Sequence, residues 1–396
     1  MKRHMIIFLL LLTAFVGISA VSAAENTSIS DDVLEIENLN ETQVLEKNTS
    51  NLNLSANESG QNNVIIANKV KKQIPSKAKT KDIKSTYGKN VKYKLKLLDK
   101  EGKIISGKKV KFKIGKKTYK IKTNSKGIAA LKLNYPAGKY TISYNVGDVS
   151  GRNTYTVKNK ISLTVLKWGN KGDISKNKLI RNNMPKNIWV KKAVHATKKG
   201  IPLIKIRGGN GKKVFITAGV HGNEISSQIA VIKLIVRLTK IPVKGSVYII
   251  PFVNIKAISH NVRYTDNDYN RIAHKSGTIP NNIVKLVKRY NCDAYGDFHC
   301  TQPGGKPGKN VAMGTYSPTV KSATIAKYIA KKSKVTYLIY EKAGEEYPGA
   351  LEDVVSLNHI PAVTCEVIVP HGKITKKSVA KSLSMMKTLL KFNKII

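Results

Sequence analysis

Val214-Phe215-Ile216-Thr217-Ala218-Gly219-Val220-His221-Gly222-Asn223-Glu224 is the stretch that decides the fold. An apolar run ends at Val220, and a helical pattern from Ile225 to Leu238 begins directly after Glu224. A buried strand that ends in a turn and opens a helix is a standard place for chemistry in an α/β sheet. His221 and Glu224, three residues apart, turn to one side and can grip one metal ion. Zinc accepts such nitrogen and oxygen donors, and a catalytic zinc site keeps a position for water.

The same alternation continues outward from this stretch. Leu203-Ile204-Lys205-Ile206 and Val247-Tyr248-Ile249-Ile250-Pro251 read as strands, and 225–239, 281–290, 320–333, 350–358 and 376–391 read as helices. Strands alternating with helices predict an α/β domain over 166–396, with a mainly parallel mixed sheet flanked by helices on both faces. Upstream the period changes to two. Val91 to Leu97, Val110 to Ile114 and Tyr119 to Lys122 alternate apolar residues with Lys, and Gly-containing turns separate them. Such short strands predict a β-sandwich over 81–165, with lysines on the outer faces.

Residues 25–80 differ in kind: Asn, Ser, Glu and Leu dominate, and Asn26, Asn40, Asn48, Asn53 and Asn57 stand in Asn-x-Ser/Thr sequons. This composition predicts a flexible, glycosylatable stalk. Met1-Lys2-Arg3-His4, an apolar run to Ala20 and small residues to Ala24 predict a cleaved signal peptide over 1–24. The run is short for a span, so no membrane anchor is expected after cleavage and the protein is expected outside the cell, at its surface or in its wall.

The 396 residues carry a formal charge of +46. Such a chain clings to polyanions, and an anionic wall polymer is the expected partner of the sandwich; a solvated coat that keeps the chain soluble explains the charge equally well. Nucleic acid is disfavoured by the export signal, the sparse aromatics and the absence of a known binding motif. Cys292, Cys300 and Cys365 are too few for a disulfide framework and are expected as buried thiols.

Three later clusters complete the first. Arg263-Tyr264-Thr265-Asp266-Asn267-Asp268-Tyr269-Asn270-Arg271 offers two guanidinium groups beside Asp and Asn. An Arg fork binds a carboxylate or a developing oxyanion, although this stretch alone reads more simply as a surface network. Asp297-Phe298-His299, before a Gly-rich loop, places Asp297 and His299 on one face of a strand end. Glu366 interrupts the β-branched run Ala362 to Val369, where an unpaired ionised Glu is costly unless it points into a cleft.

In this order the clusters resemble the zinc carboxypeptidase superfamily, and more closely its aspartoacylase/succinylglutamate desuccinylase branch, over about residues 200–396. The resemblance implies one zinc ion held by His221, Glu224 and His299. It implies Glu366 as the general base, Arg263 at the oxyanion, Asn270 and Arg271 on a substrate carboxylate, and Asp268 orienting His221. Tyr347 is a candidate substrate contact. Tyr269 replaces the usual Leu before Asn-Arg, and Ala273-His274 replaces a Phe-Pro type turn. The turn punctuation of the sandwich resembles the Ig-like modules of microbial surface adhesins, which implies a spacer or wall-contact module.

The expected activity is hydrolysis of an amide next to a carboxylate, of carboxypeptidase or deacylase type, on a peptide or acyl-amino acid with a free carboxylate, including peptides of the cell wall or surface. The alternative is a non-catalytic adhesin or polyanion-binding protein that retains a hydrolase fold.

Overall fold

Alternating Lys and apolar residues build the first part of the computed structural model, which describes residues 73–396. The leader over 1–24 and the stalk up to residue 72 lie outside the described residues. No helix among the described residues is long and apolar enough to cross a membrane.

Strands β1 (Lys77–Lys79), β2 (Ile83–Thr86), β3 (Val91–Leu98), β4 (Lys109–Ile114), β5 (Lys117–Lys122), β6 (Ile128–Leu133), β7 (Gly138–Val146) and β8 (Val149–Lys158) form two sheets. Their orders are β1-β3-β6 and β2-β8-β7-β4-β5. Period-two alternation sends Tyr93, Leu95, Phe112, Ile142 and Tyr155 into a shared core, where Tyr93 and Phe112 meet edge to face at 5.7 Å.

The remaining strands are β9 (Lys160–Leu166), β10 (Ile201–Arg207), β11 (Lys213–Ala218), β12 (Ser246–Ile250), β13 (Ala294–Thr301), β14 (Val311–Ser317), β15 (Thr336–Lys342) and β16 (Ala362–Ile368). They make one sheet in the order β15-β14-β16-β13-β11-β12-β10-β9. It is mixed: β12, β11, β13 and β16 run parallel, as do β14 and β15, while β9, β10 and the β14–β16 junction are antiparallel. The helices are α1 (Lys178–Asn183), α2 (Ile188–Ala196), α3 (Ile225–Leu238), α4 (Ile255–His260), α5 (Ile279–Arg289), α6 (Val320–Ser333), α7 (Leu351–Leu357) and α8 (Lys376–Phe392). On β13, α8 covers the face that carries Gly296, where an added Cβ would lie 2.5 Å from Leu389. The opposite face, with Asp297, feels Glu352 of α7. Leu203, Phe215, Ile249, Phe298 and Val363 belong to one continuous core.

Two boundaries differ from the expectation. Strand β1 lies inside the 25–80 span read as stalk, because Lys77–Lys79 pairs with β3. Strand β9, all but Leu166, lies inside the 81–165 span, yet it pairs with β10 of the large sheet. Alternation does not stop between β8 and β9, so the pattern cannot say which sheet a strand joins. Asn159 marks the change: its amide donates to the carbonyls of Leu238 and Ile241 and accepts from Val243 N–H. The sandwich also meets the large domain through Tyr87 to Asn210 and Ala137 N–H to Gly208 O. Gly208 and Asn210 lie where β10 ends and β11 begins, at the amino ends of the parallel strands.

Candidate active site

At the carboxyl end of β11 the chain makes a turn that only glycines fit. Gly219 sits at φ +75°, and a Cβ on Gly222 would lie 2.2 Å from the Ala257 backbone of α4. Gly222 N–H donates to Arg263 O, and Gln228 of α3 donates to the Gly222 carbonyl. This tight seat presents His221 and Glu224 at the head of α3, tied to the loop that carries Arg263.

His299 arrives from the end of β13. Parallel pairing sets Glu366 of β16 directly beside His299, so the two side chains share a face. His221 Nδ1 lies 2.7 Å from Glu224 Oε1, and His299 Nδ1 lies 2.9 Å from Glu224 Oε2. All three residues are buried, and each offers a donor atom within 4.8 Å of the others. Cys300 N–H also donates to Glu224 Oε2.

The outer edges of both imidazoles face carboxylates. His221 Nε2 lies 2.9 Å from Asp268 Oδ1, which also accepts from Asn270 N–H. His299 Nε2 lies 3.0 Å from Asp297 Oδ2, at an angle that leaves both atoms without a formal hydrogen bond. Asp297 Oδ1 accepts from Thr217 Oγ1 and is fixed from β11. A carboxylate on the far nitrogen of a ligating His sets its tautomer and ring orientation.

Electrostatics follow from this crowding. Burial would raise the Glu224 carboxyl, but His221 and His299 outweigh it and hold it well below its ordinary value. Burial would depress His299, but Asp297 and Glu224 hold it well above. Burial likewise works to raise Asp268, yet His221 brings it down to about 2. Glu366 is raised well above its ordinary value, first by burial and then by Glu224, and its Oε2 has no hydrogen-bond partner among the described residues.

A cleft of about 440 Å³ opens over these groups, lined among others by His221, Arg263, Asn270, Arg271, Tyr347 and Glu366. Arg263 Nη1 lies 3.3 Å from Glu224 Oε1, and its Nη2 lies 3.9 Å from Asp268 Oδ2. The Arg271 guanidinium lies over the Tyr347 ring at 5.6 Å, and its Nη1 donates to Asn270 O. Asn270 Oδ1 accepts from Leu351 N–H at the start of α7, which leaves the amide nitrogen for a ligand. The nine residues singled out in the sequence thus meet in one place. The three cysteines are buried and unpaired, and burial raises each thiol.

Other members of the site were not singled out. Asp297 was seen only as sharing a face with His299. Glu352, at the first turn of α7, lines the cleft, and burial together with Asp353 and Asp297 pushes it up to about 8. Acids in a first helical turn are ordinary, so nothing in the sequence marked it. His371 follows β16; its Nε2 lies 2.8 Å from Cys300 O and 3.9 Å from Glu224 Oε1.

No curated protein matches the sequence. Among solved structures, a succinylglutamate desuccinylase/aspartoacylase from Rhodobacter sphaeroides matches with 19% identity and a TM-score of 0.39, covering 50% of this chain and 61% of its own. The product-bound ectoine utilization protein EutE from Ruegeria pomeroyi matches with 20% identity and a TM-score of 0.41, covering 50% of this chain and 64% of its own. The tripeptide-bound cell shape determinant Csd4 from Helicobacter pylori matches with 16% identity and a TM-score of 0.41, covering 50% of this chain and 56% of its own. The chain therefore spans less than two thirds of each of these three. Residues 210–392, which hold every residue of the site, match the family model for the succinylglutamate desuccinylase/aspartoacylase catalytic domain.

Proposed function

We propose that the protein is a zinc-dependent hydrolase that cleaves an amide bond next to a carboxylate, in a peptide or acyl-amino acid outside the cell. The observation that carries this reading is the convergence of His221 Nδ1, Glu224 and His299 Nδ1 with Glu366 at their side. Two imidazoles and a carboxylate fit zinc; Asp268 hydrogen-bonds the outer nitrogen of His221, and Asp297 sets a carboxylate oxygen 3.0 Å from that of His299. When bound, the ion polarises the scissile carbonyl and acidifies water.

The chain's own groups have separate tasks. Glu366 takes a proton from the attacking water and returns it to the leaving amine. Arg263 faces the cleft beside Glu224, where its fork can hold the developing oxyanion. Arg271, steadied over Tyr347, and the Asn270 amide hold the substrate carboxylate. The extracellular setting rests on the leader over 1–24 and the charge of +46, and both favour wall or surface peptides. In this reading the sandwich is an Ig-like spacer.

The test is metal content of the purified chain, with a panel of acyl-amino acids and peptides assayed for release of the free amine. About one zinc per chain and turnover on at least one compound are expected. Glu366→Gln should retain the metal and lose about 100- to 10,000-fold in kcat. Full turnover by that variant, or a zinc-loaded chain that cleaves nothing, would overturn the reading.

A further inference from the structure

Part of the charge on the sandwich stands in opposed pairs. Residues 77–158 contain 22 lysines and one arginine against four acids. On the three-stranded sheet β3 is the central strand: Tyr93, Leu95 and Leu97 face the core, while Lys92, Lys94 and Lys96 take the outer face. Register puts Lys92 directly across from Lys132 of β6, and Lys96 directly across from Lys79 of β1. Opposed residues in antiparallel strands have Cβ atoms about 4.5–5.5 Å apart, and like charges there are destabilising. Lysines on an edge strand guard against edge-to-edge pairing, but β3 is not an edge. Among the described residues, none of these five lysines has an ion pair; the sandwich's Lys103–Glu101 pair lies in the turn after β3.

A second feature lies at one end of this column. An open groove of about 630 Å³ is lined by Asn90, Val91, Lys92, Lys132, Leu133 and Asn134. Two lysines and two asparagines therefore line one depression, at the place where the lysines oppose each other.

We infer that this face binds a linear phosphate-bearing polymer, laid along β3 over Lys92, Lys94 and Lys96 and flanked by Lys132 and Lys79. Alternate residues of a strand repeat about every 6.6–6.8 Å, which sets a ladder of positive charge for a repeating anion. Lysine is a point charge that serves phosphate, whereas paired recognition of carboxylates favours the Arg fork, and the sandwich has one Arg. Tyr93, the aromatic residue of β3, is buried, so that strand offers no stacking platform for bases. The polymer supplies the charge that relieves the opposed pairs. The sandwich joins the large domain at the amino ends of the parallel strands, and the catalytic cleft opens at their carboxyl ends. The face is thus an anchor, independent of the hydrolase reading.

The probe is long-chain inorganic polyphosphate, titrated into the full chain at several salt concentrations and followed by calorimetry. Lys92→Gln/Lys94→Gln/Lys132→Gln should bind at least about 10-fold more weakly, with a shallower dependence of log Kd on log salt. Lys111→Gln/Lys120→Gln/Lys122→Gln, which removes the same charge from the other sheet, should change Kd less than about threefold. Circular dichroism should show both variants folded. Equal weakening by the two triples would reduce the effect to net charge and overturn the site. Tighter binding of poly-glutamate than of polyphosphate would overturn the phosphate assignment. No binding by the parent chain at about 0.15 M salt would overturn both.

Discussion

In the α/β domain the acids Glu224, Asp297 and Glu352 are buried beside two imidazoles, and Glu366 stands next to them; in the sandwich Lys92 and Lys96 of β3 and Lys109 and Lys111 of β4 stand on outer faces opposite other lysines. Both regions hold charge against its electrostatic preference, but by different means. The α/β domain brings opposite charges from β11, β13 and α4's following loop into one dry place, where each fixes the protonation of the next. The sandwich relies on strand alternation, which leaves like charges in solvent and in register. The first arrangement can do chemistry, because its charges are held and desolvated. The second can only attract, because its charges are wet and mobile.

The sharpest way to break this contrast is to remove an acid that burial keeps protonated. Glu352 titrates at about 8 in the folded chain against 4.5 in the unfolded one. The native state therefore retains a proton that the unfolded chain releases between those values. Stability from this group is full below about pH 4.5 and is lost as pH rises through 8. In the presence of a chelator, Glu352→Gln should flatten the fall in unfolding free energy between pH 5 and pH 8, by on the order of 4 kcal/mol. Parallel curves for parent and variant in urea titrations would show that Glu352 is not held neutral.

A second cut tests the outer carboxylates. Asp297→Asn should weaken zinc binding about 10- to 100-fold in a competitive chelator titration, since His299 loses the partner that fixes its ring. The same change should leave far-ultraviolet circular dichroism unaltered, because Thr217 can still hydrogen-bond the amide oxygen. Unchanged zinc affinity would confine Asp297 to packing.

The sequence made some of this visible and hid the rest for physical reasons. His221 and Glu224 were legible because local chain geometry brings them together in one turn. His299 was legible as part of Asp-x-His at a strand end before a Gly-rich loop and Glu366 as a polar interruption of an apolar strand, and register makes them neighbours. Glu352 was not legible, since a first-turn acid is ordinary until α7 packs it beneath the sheet. His371 reaches Cys300 O from a loop that no periodicity describes. The five helices at 225–239, 281–290, 320–333, 350–358 and 376–391 came within two residues of α3, α5, α6, α7 and α8 at each end, because amphipathic period is local. The sheet partner of β9 is a non-local fact, and alternation is silent about it.

That seam gives a smaller test. Asn159 makes three hydrogen bonds to the 238–243 loop, where the chain leaves the sandwich for the large sheet. Asn159→Ala strands two partly buried carbonyls and one N–H, which should cost about 2 kcal/mol. In a thermal melt the loss should be read as a lower Tm, with turnover per folded chain unchanged because the cleft lies at the other end of the strands. A fall in kcat alongside the Tm would show that the seam and the site are coupled.

The smallest expected effect has the opposite sign. Lys111 of β4 stands directly across from Lys120 of β5, and Lys109 across from Lys122. Removing one charge from such a ladder relieves repulsion without exposing any core. Thr suits an outward strand position as well as Lys does or better. Lys111→Thr should therefore stabilise the chain by about 0.5 kcal/mol at low salt. The gain should shrink as salt approaches 1 M, where the Debye length falls to about 3 Å and the opposed ammonium groups no longer sense each other. A gain that persists in high salt would be β-propensity alone. A loss at low salt would mean that the lysine stem packs on the sheet more tightly than its charge repels.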